Sequence, residues 1–239
     1  MKFLKMPLDK TWIATLVLLV AVTGVIGYSQ YTLLGMTSPI KFSLPGISAV
    51  SATTNNGTTF TVKSTGNTVQ DVIKAVIPTG TPSYGEELAV SYDTPVPSLT
   101  TLAGLDRKIP TSGLTAEEKQ RFISINTRIS CEFCCGAPAT VDQNGNSLCG
   151  CSHAASFRGL SKYLIKNHPA EYTDDQILLE LTRWKALYYP RNMVEKGVAA
   201  LQNGLELSPA VLNDRDLLKK IQSKDTSSIG ELPSMVGGC

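Results

Sequence analysis

Histidine is nearly absent from this 239-residue chain; His153 and His168 are the only two. A catalytic metal site built from several imidazoles is therefore excluded. Charge is sparse as well, at 18% of residues with a formal net charge of +2, and no run of lysine or arginine forms a basic patch. Nucleic acid is not an expected partner. There is no internal repeat, no phosphate loop or dinucleotide fingerprint, and no Ser-His-Asp arrangement. What remains is sulfur.

Five of the six cysteines fall within 21 residues, as Cys131-Glu-Phe-Cys134-Cys135 followed by Cys149-Gly-Cys151-Ser-His153. Thiolates and an imidazole are ligands for soft or borderline metals, so Cys131, Cys134, Cys135, Cys149, Cys151 and His153 are the candidate metal ligands. Between the two groups lies Thr140-Val-Asp-Gln-Asn144-Gly145-Asn-Ser-Leu148, where Asn-Gly flanked by short alternating segments predicts a β-hairpin. Pairing about a two-residue turn sets Thr140 opposite Cys149 and brings both cysteine groups to one end of the ribbon. Alternation along an extended segment turns Cys149, Cys151 and His153 to one side.

The amino-terminal segment supplies a second signal. Lys2, Lys5 and Lys10 precede an uncharged stretch from Trp12 to Tyr28. Seventeen residues at about 1.5 Å each come close to the thickness of a bilayer core. The flanking lysines place the amino terminus in the cytoplasm and the remainder outside. No small-x-small cleavage site lies near Gly24 to Gln30, so a retained anchor is expected over a cleaved signal. The reading is a single-pass cell-membrane protein with membrane, an envelope protein or a second copy as partners. Outside the cytosol disulfides persist, and purely structural pairing of the cysteines competes with metal binding. Adjacent Cys134 and Cys135 do not easily bond to each other.

The organisation that follows is a cytoplasmic segment at 1–10, an anchor at 11–28, a stalk rich in Ser, Thr, Gly and Pro at 29–57, and a small mixed α/β module at 58–114. A helical metal-binding domain covers 115–221 and a polar tail 222–239. Within the mixed module, Thr58-Thr-Phe-Thr-Val-Lys63 alternates as a strand does, while Val69, Val72, Ile73 and Val76 have helical spacing. Thr115-Ala-Glu-Glu118 and Thr173-Asp-Asp-Gln176 are capping boxes that open helices. Phe157, Leu160 and Leu164 mark a helix between them, closed by Pro169. Met193, Val194, Val198 and Leu201 mark a fourth helix, and Ser208-Pro209 opens a fifth running to about Ile221. Trp184, Tyr188 and Tyr189 read as core, His168 as a surface residue, and Asp174 and Asp175 as helix-start residues. The fold class is α+β: an anchor helix, a mixed module and a helical domain carrying an inserted, cysteine-lined hairpin of the zinc-ribbon type.

Covalent haem requires Cys-x-x-Cys-His, and Cys135 occupies the histidine position. One zinc ion suits the knuckle–hairpin–knuckle spacing and is favoured; copper(I) is the alternative, because Cys-x-Cys and paired cysteines suit soft ions. The run Ile129-Ser-Cys131-Glu-Phe-Cys134-Cys135-Gly136 with Cys149-Gly-Cys151-Ser-His153-Ala resembles an uncharacterised family of membrane-anchored, cysteine-rich archaeal proteins, which implies no known activity. Cys149-Gly-Cys151 is similar to an element of bacterial lipoproteins bearing Pro-Cys-Tyr-Cys-Gly-Cys. Arg128-Ile-Ser-Cys131-x-x-Cys134, followed by helices and Thr173-Asp-Asp-Gln-Ile177, resembles the thiol reductases of cytochrome c maturation, and that likeness implies a redox Cys131/Cys134 pair. The leading expectation is a metal-binding structural or interaction module without catalytic residues. A thiol–disulfide oxidoreductase using Cys131 and Cys134, or an envelope or adhesion protein with structural disulfides, are the alternatives. Cys239, at the end of a polar tail, is expected either to have no fixed role or to pair with the odd thiol of the cluster or crosslink a second copy.

Overall fold

Residues 58–221 and 229–238 are described by the computed structural model, and their regular structure is helical. Asn67 opens α1 (Thr68–Val76) by accepting a hydrogen bond from the Gln70 amide, and the helix buries the stripe Val69, Val72, Ile73 and Val76. A single turn, α2 (Gly85–Leu88), leads to α3 (Pro95–Lys108). Pro95 and Pro97 sit in the first turn of α3, where a missing N–H breaks no helical hydrogen bond. Then come α4 (Ala116–Asn126), α5 (Ser152–Asn167), α6 (Asp174–Tyr188), α7 (Pro190–Gln202), α8 (Pro209–Asn213) and α9 (Leu217–Lys220). Both capping boxes form as the sequence predicts: Thr115 with Glu118 starts α4, and Thr173 with Gln176 starts α6.

Helix α6 is buried on nearly every side beyond its first turn and runs through the centre, with Ile177, Leu181, Trp184 and Tyr188 wholly buried. Its polar groups must then be satisfied internally. Glu180 accepts hydrogen bonds from the Tyr92 hydroxyl at 2.5 Å and the Tyr84 hydroxyl at 3.0 Å, and pairs with Arg183. Trp184 donates its indole N–H to the Tyr84 hydroxyl. The core is therefore continuous from Phe60 through α1 and α3 into the later helices.

The closest helix contact is between α3 and α5. A Cβ on Gly159 would stand 2.2 Å from the Leu102 carbonyl oxygen and 2.8 Å from the Asp106 amide, so the two backbones touch there. Asp106 of α3 also meets Arg158 and Lys162 of α5 at 2.7 and 2.6 Å.

The α+β expectation is corrected: the described residues contain one isolated antiparallel bridge, Val141 to Ser147, and no sheet. Thr58 to Lys63 is not a strand; the Phe60 amide is tied to the Leu207 carbonyl instead. The Asn-Gly turn does form, but with three loop residues rather than two. Asp142 pairs with Asn146, its carboxylate accepts the Asn144 and Asn146 amides at 2.8 Å, and Gly145 takes a left-handed φ of 84°. The register consequently places Leu148 opposite Thr140, since the Leu148 amide donates to the Thr140 carbonyl. Pairing stops there because the Thr140 amide is spent on the Ile129 and Asn126 carbonyls, which splices the turn onto the end of α4.

The fifth helix is interrupted as well. Asp214 is extended between α8 and α9, and the buried Lys196 ammonium takes the Asp214 and Leu212 carbonyls at 2.8 and 3.4 Å. The single-pass membrane location is also corrected. No helix among the described residues is long and apolar enough to cross a membrane. The anchor, the stalk and Cys239 lie outside the described residues.

Gly159→Ala is expected to lower stability by about 3 kcal/mol, because backbone rather than a side-chain tip blocks the new methyl. Gly104→Ala on the open side of α3, where nothing lies within 4 Å, should raise it by about 0.5–1 kcal/mol. Urea unfolding of both variants checks the pair; a neutral Gly159→Ala would contradict the backbone contact.

Candidate metal centre

The cysteines lie in the segment joining α4 to α5, which has almost no ladder of its own and is held by side chains. Cys131 follows the buried Ile129 and Ser130, so its thiol points inward and is 1% exposed. Its carbonyl closes a tight turn with the Cys134 amide at 3.1 Å. Cys149 is buried, and its carbonyl accepts from Arg158 at 2.9 Å. Cys151 is the N-cap of α5, its sulfur accepting the Ala154 amide at 3.3 Å.

Four sulfurs converge. Those of Cys131, Cys135, Cys149 and Cys151 all lie within 4.8 Å of one another, close enough to hold a metal ion. Cys131 stands 3.7 Å from Cys135, 3.8 Å from Cys149 and 3.0 Å from Cys151, while Cys149 and Cys151 are 3.4 Å apart. Cys135 and Cys149 are at disulfide distance, and Cys131 and Cys151 are free thiols. Of these four only Cys135 is exposed. Cys134 is half-buried, and its sulfur is not among the four.

His153 is brought beside the cluster rather than into it. Its Nε2 lies 2.9 Å from the Val236 carbonyl and its Nδ1 3.0 Å from the Tyr189 hydroxyl. A carbonyl only accepts, so Nε2 carries the proton and Nδ1 is an acceptor; the single Tyr189 hydroxyl proton serves either Nδ1 or the Cys131 sulfur. Burial lowers the basicity of His153 and keeps the ring neutral. The Tyr189 hydroxyl also reaches the Cys131 thiol. The hydrogen bond with Cys151, aided by Tyr189 and the Lys185 charge, pulls Cys131 down to about 6 against the cost of burial. The same hydrogen bond drives Cys151 upward, so the two thiols titrate as a pair that keeps one proton between its sulfurs after the first is lost.

Beneath the cluster lies a buried ion group. Glu132 pairs closely with Lys196 and stands 3.6 Å from Lys185. Burial pulls Lys185 down to about 8. Both ammonium groups also lie over the Phe133 ring, at 5.5 and 5.3 Å from its centre. Arg215 donates to the Gly136 carbonyl at 2.8 Å and so fixes the turn after Cys135. Sequence reading did not single out Glu132, Lys185 and Lys196. In sequence the two lysines look like ordinary helix-surface residues, although Lys185 directly follows Trp184 and Lys196 lies three residues after Met193 and four before Ala200. Tyr189, read as core, is buried but also carries the hydrogen bond between His153 and Cys131.

His168 is not at the centre; its ring meets Glu87 and Glu171 at 3.0 and 3.2 Å. Asp174 and Asp175 begin α6 and pair with Arg121 and Arg128, each at 2.7 Å. No protein-family description, curated protein or solved structure matches this chain.

Lys196→Met is expected to cost about 3–5 kcal/mol in urea unfolding, because it leaves Glu132 buried with only the more distant Lys185, at 3.6 Å, and Arg215, at 3.9 Å. A loss below about 1 kcal/mol would show that Lys185 and Arg215 meet the Glu132 charge without Lys196.

Proposed function

We propose that Cys131, Cys135, Cys149 and Cys151, as thiolates, hold one zinc ion, and that the ion is structural. The observation that carries this reading is the convergence of four sulfurs from both ends of one poorly laddered segment. Zinc–thiolate bonds of about 2.3 Å in tetrahedral geometry separate sulfurs by about 3.8 Å. The separations of 3.7 and 3.8 Å at Cys131 support that spacing; Cys149 and Cys151 at 3.4 Å, Cys131 and Cys151 at 3.0 Å, and the bonded Cys135–Cys149 pair would open to reach it. Copper(I) takes fewer thiolates, and a four-iron cluster would hold its ligands further apart around a cube. Four thiolates around a divalent ion leave two negative charges, and the Lys185 and Lys196 ammonium groups, facing a single Glu132, offset one of them. A site closed by four protein ligands has no open position for substrate, which suits a structural or interaction module over a catalyst.

In this reading His153 and Tyr189 orient Cys131 rather than bind the ion. The zinc would fix Cys131 and Cys135 to Cys149 and Cys151, and so fasten the end of α4 to the start of α5, where the segment's own backbone pairing is a single bridge.

Elemental analysis of the full chain purified under reducing conditions tests the proposal. About one zinc per chain is expected. Cys134→Ser should keep that stoichiometry and Cys131→Ser should lose it. Less than a tenth of an equivalent of any transition metal contradicts the centre, and one equivalent of copper contradicts the identity of the ion.

A further inference from the structure

The same four sulfurs are arranged in a second way that excludes the first. Cys135 and Cys149 lie at bonding distance while Cys131 and Cys151 remain thiols beside them. A sulfur committed to a disulfide is no longer a thiolate ligand, and two remaining thiols hold an ion far less firmly than four. Resting on the tetrathiolate reading above, we propose that this structural metal site is redox-gated. A small disulfide of the glutathione class converts Cys135 and Cys149 to their disulfide and expels the ion.

Burial sets the order of events. Cys135 is exposed, whereas Cys149 is 7% exposed and Cys131 1% exposed. The Cys135 thiolate is the one an external disulfide can approach. It attacks one sulfur of the small disulfide, forming a mixed disulfide as the external S–S bond breaks, and one small thiolate leaves. The Cys149 thiolate then attacks the Cys135 sulfur; the Cys135–Cys149 bond forms and the second small thiolate leaves. Two electrons pass from the two protein sulfurs to the small disulfide, and the two departing thiolates take up protons from water according to their own basicity. Excess small thiol reverses both steps and regenerates four ligands.

Access alone does not explain which pair forms. Cys131 is as near to Cys135, at 3.7 Å, as it is to Cys149, at 3.8 Å. Cys131 is, however, engaged by Cys151 at 3.0 Å and by the Tyr189 hydroxyl. Cys151 in turn is held at the α5 N-terminus by the Ala154 amide. Those contacts leave Cys149 as the sulfur to resolve the Cys135 adduct. Arg158 and Arg215 hold the carbonyls of Cys149 and Gly136, so the segment keeps its place when the ion departs.

The full-length protein, loaded with zinc under reduction and freed of reductant, is treated with oxidised glutathione. Zinc release is followed with a chromogenic chelator, and the disulfides are mapped by mass spectrometry without reduction. About one zinc should leave for each Cys135–Cys149 bond formed, and reduction with added zinc should restore the load. Cys149→Ser should accumulate a glutathione adduct on Cys135, giving a second readout that does not require the wild-type resolving step. Zinc retained while Cys135 and Cys149 become bonded, or zinc released with a different pair bonded, overturns the gating and leaves the tetrathiolate centre standing. A reduced protein that binds no metal overturns the centre itself.

Discussion

The buried Glu132 carboxylate, gripped by Lys196 of α7 with Lys185 of α6 beside it, is the contact on which the cysteine centre depends. It fastens the residue next to Cys131 to the two helices that form the middle of the molecule. A charge buried this deeply is tolerated only with partners, and removing one costs far more than the pair contributes. The Cys131 turn is accordingly fixed in place, although its segment has almost no backbone pairing. Lys196 serves twice, because its remaining hydrogen bonds go to the carbonyls where α8 ends, and those bonds divide the last helical stretch in two.

The other half of the centre is held by the opposite side of the fold. Gly159 lets α3 and α5 meet backbone to backbone, Asp106 clamps Arg158, and Arg158 takes the Cys149 carbonyl. Asn126 at the end of α4 then takes Thr140, fixing the base of the turn that separates the cysteine groups. Each cysteine group is thus carried by a different part of the helical frame. Their meeting is a property of the packed molecule, not of an independent ribbon, and this explains why the expected zinc-ribbon hairpin is reduced to one bridge.

Much of the helical frame was legible in the sequence, because capping boxes and apolar spacing are local. Thr115 and Thr173 start their helices as expected, and Val69 to Val76 form one. Helix α3 was not legible: Pro95 and Pro97 at its start mask it, and its contact surface becomes apparent only against Gly159. The hairpin register failed by one residue because Asp142 caps the turn from its side chain and adds a loop position, which the Asn-Gly pair alone does not reveal. At the centre, sequence spacing drew Cys131, Cys135, Cys149 and Cys151 together. It did not show the ion group beneath them, because Glu132, Lys185 and Lys196 are neighbours only through tertiary packing.

The account holds that one ion and four sulfurs form a closed unit, with His153 and Tyr189 behind Cys131 rather than in it. X-ray absorption at the zinc edge of the reduced full-length protein tests that most directly. Four sulfur neighbours at about 2.3 Å, with no nitrogen or oxygen bound to the ion, are expected. A spectrum requiring an imidazole nitrogen, or two or fewer sulfurs, would contradict it.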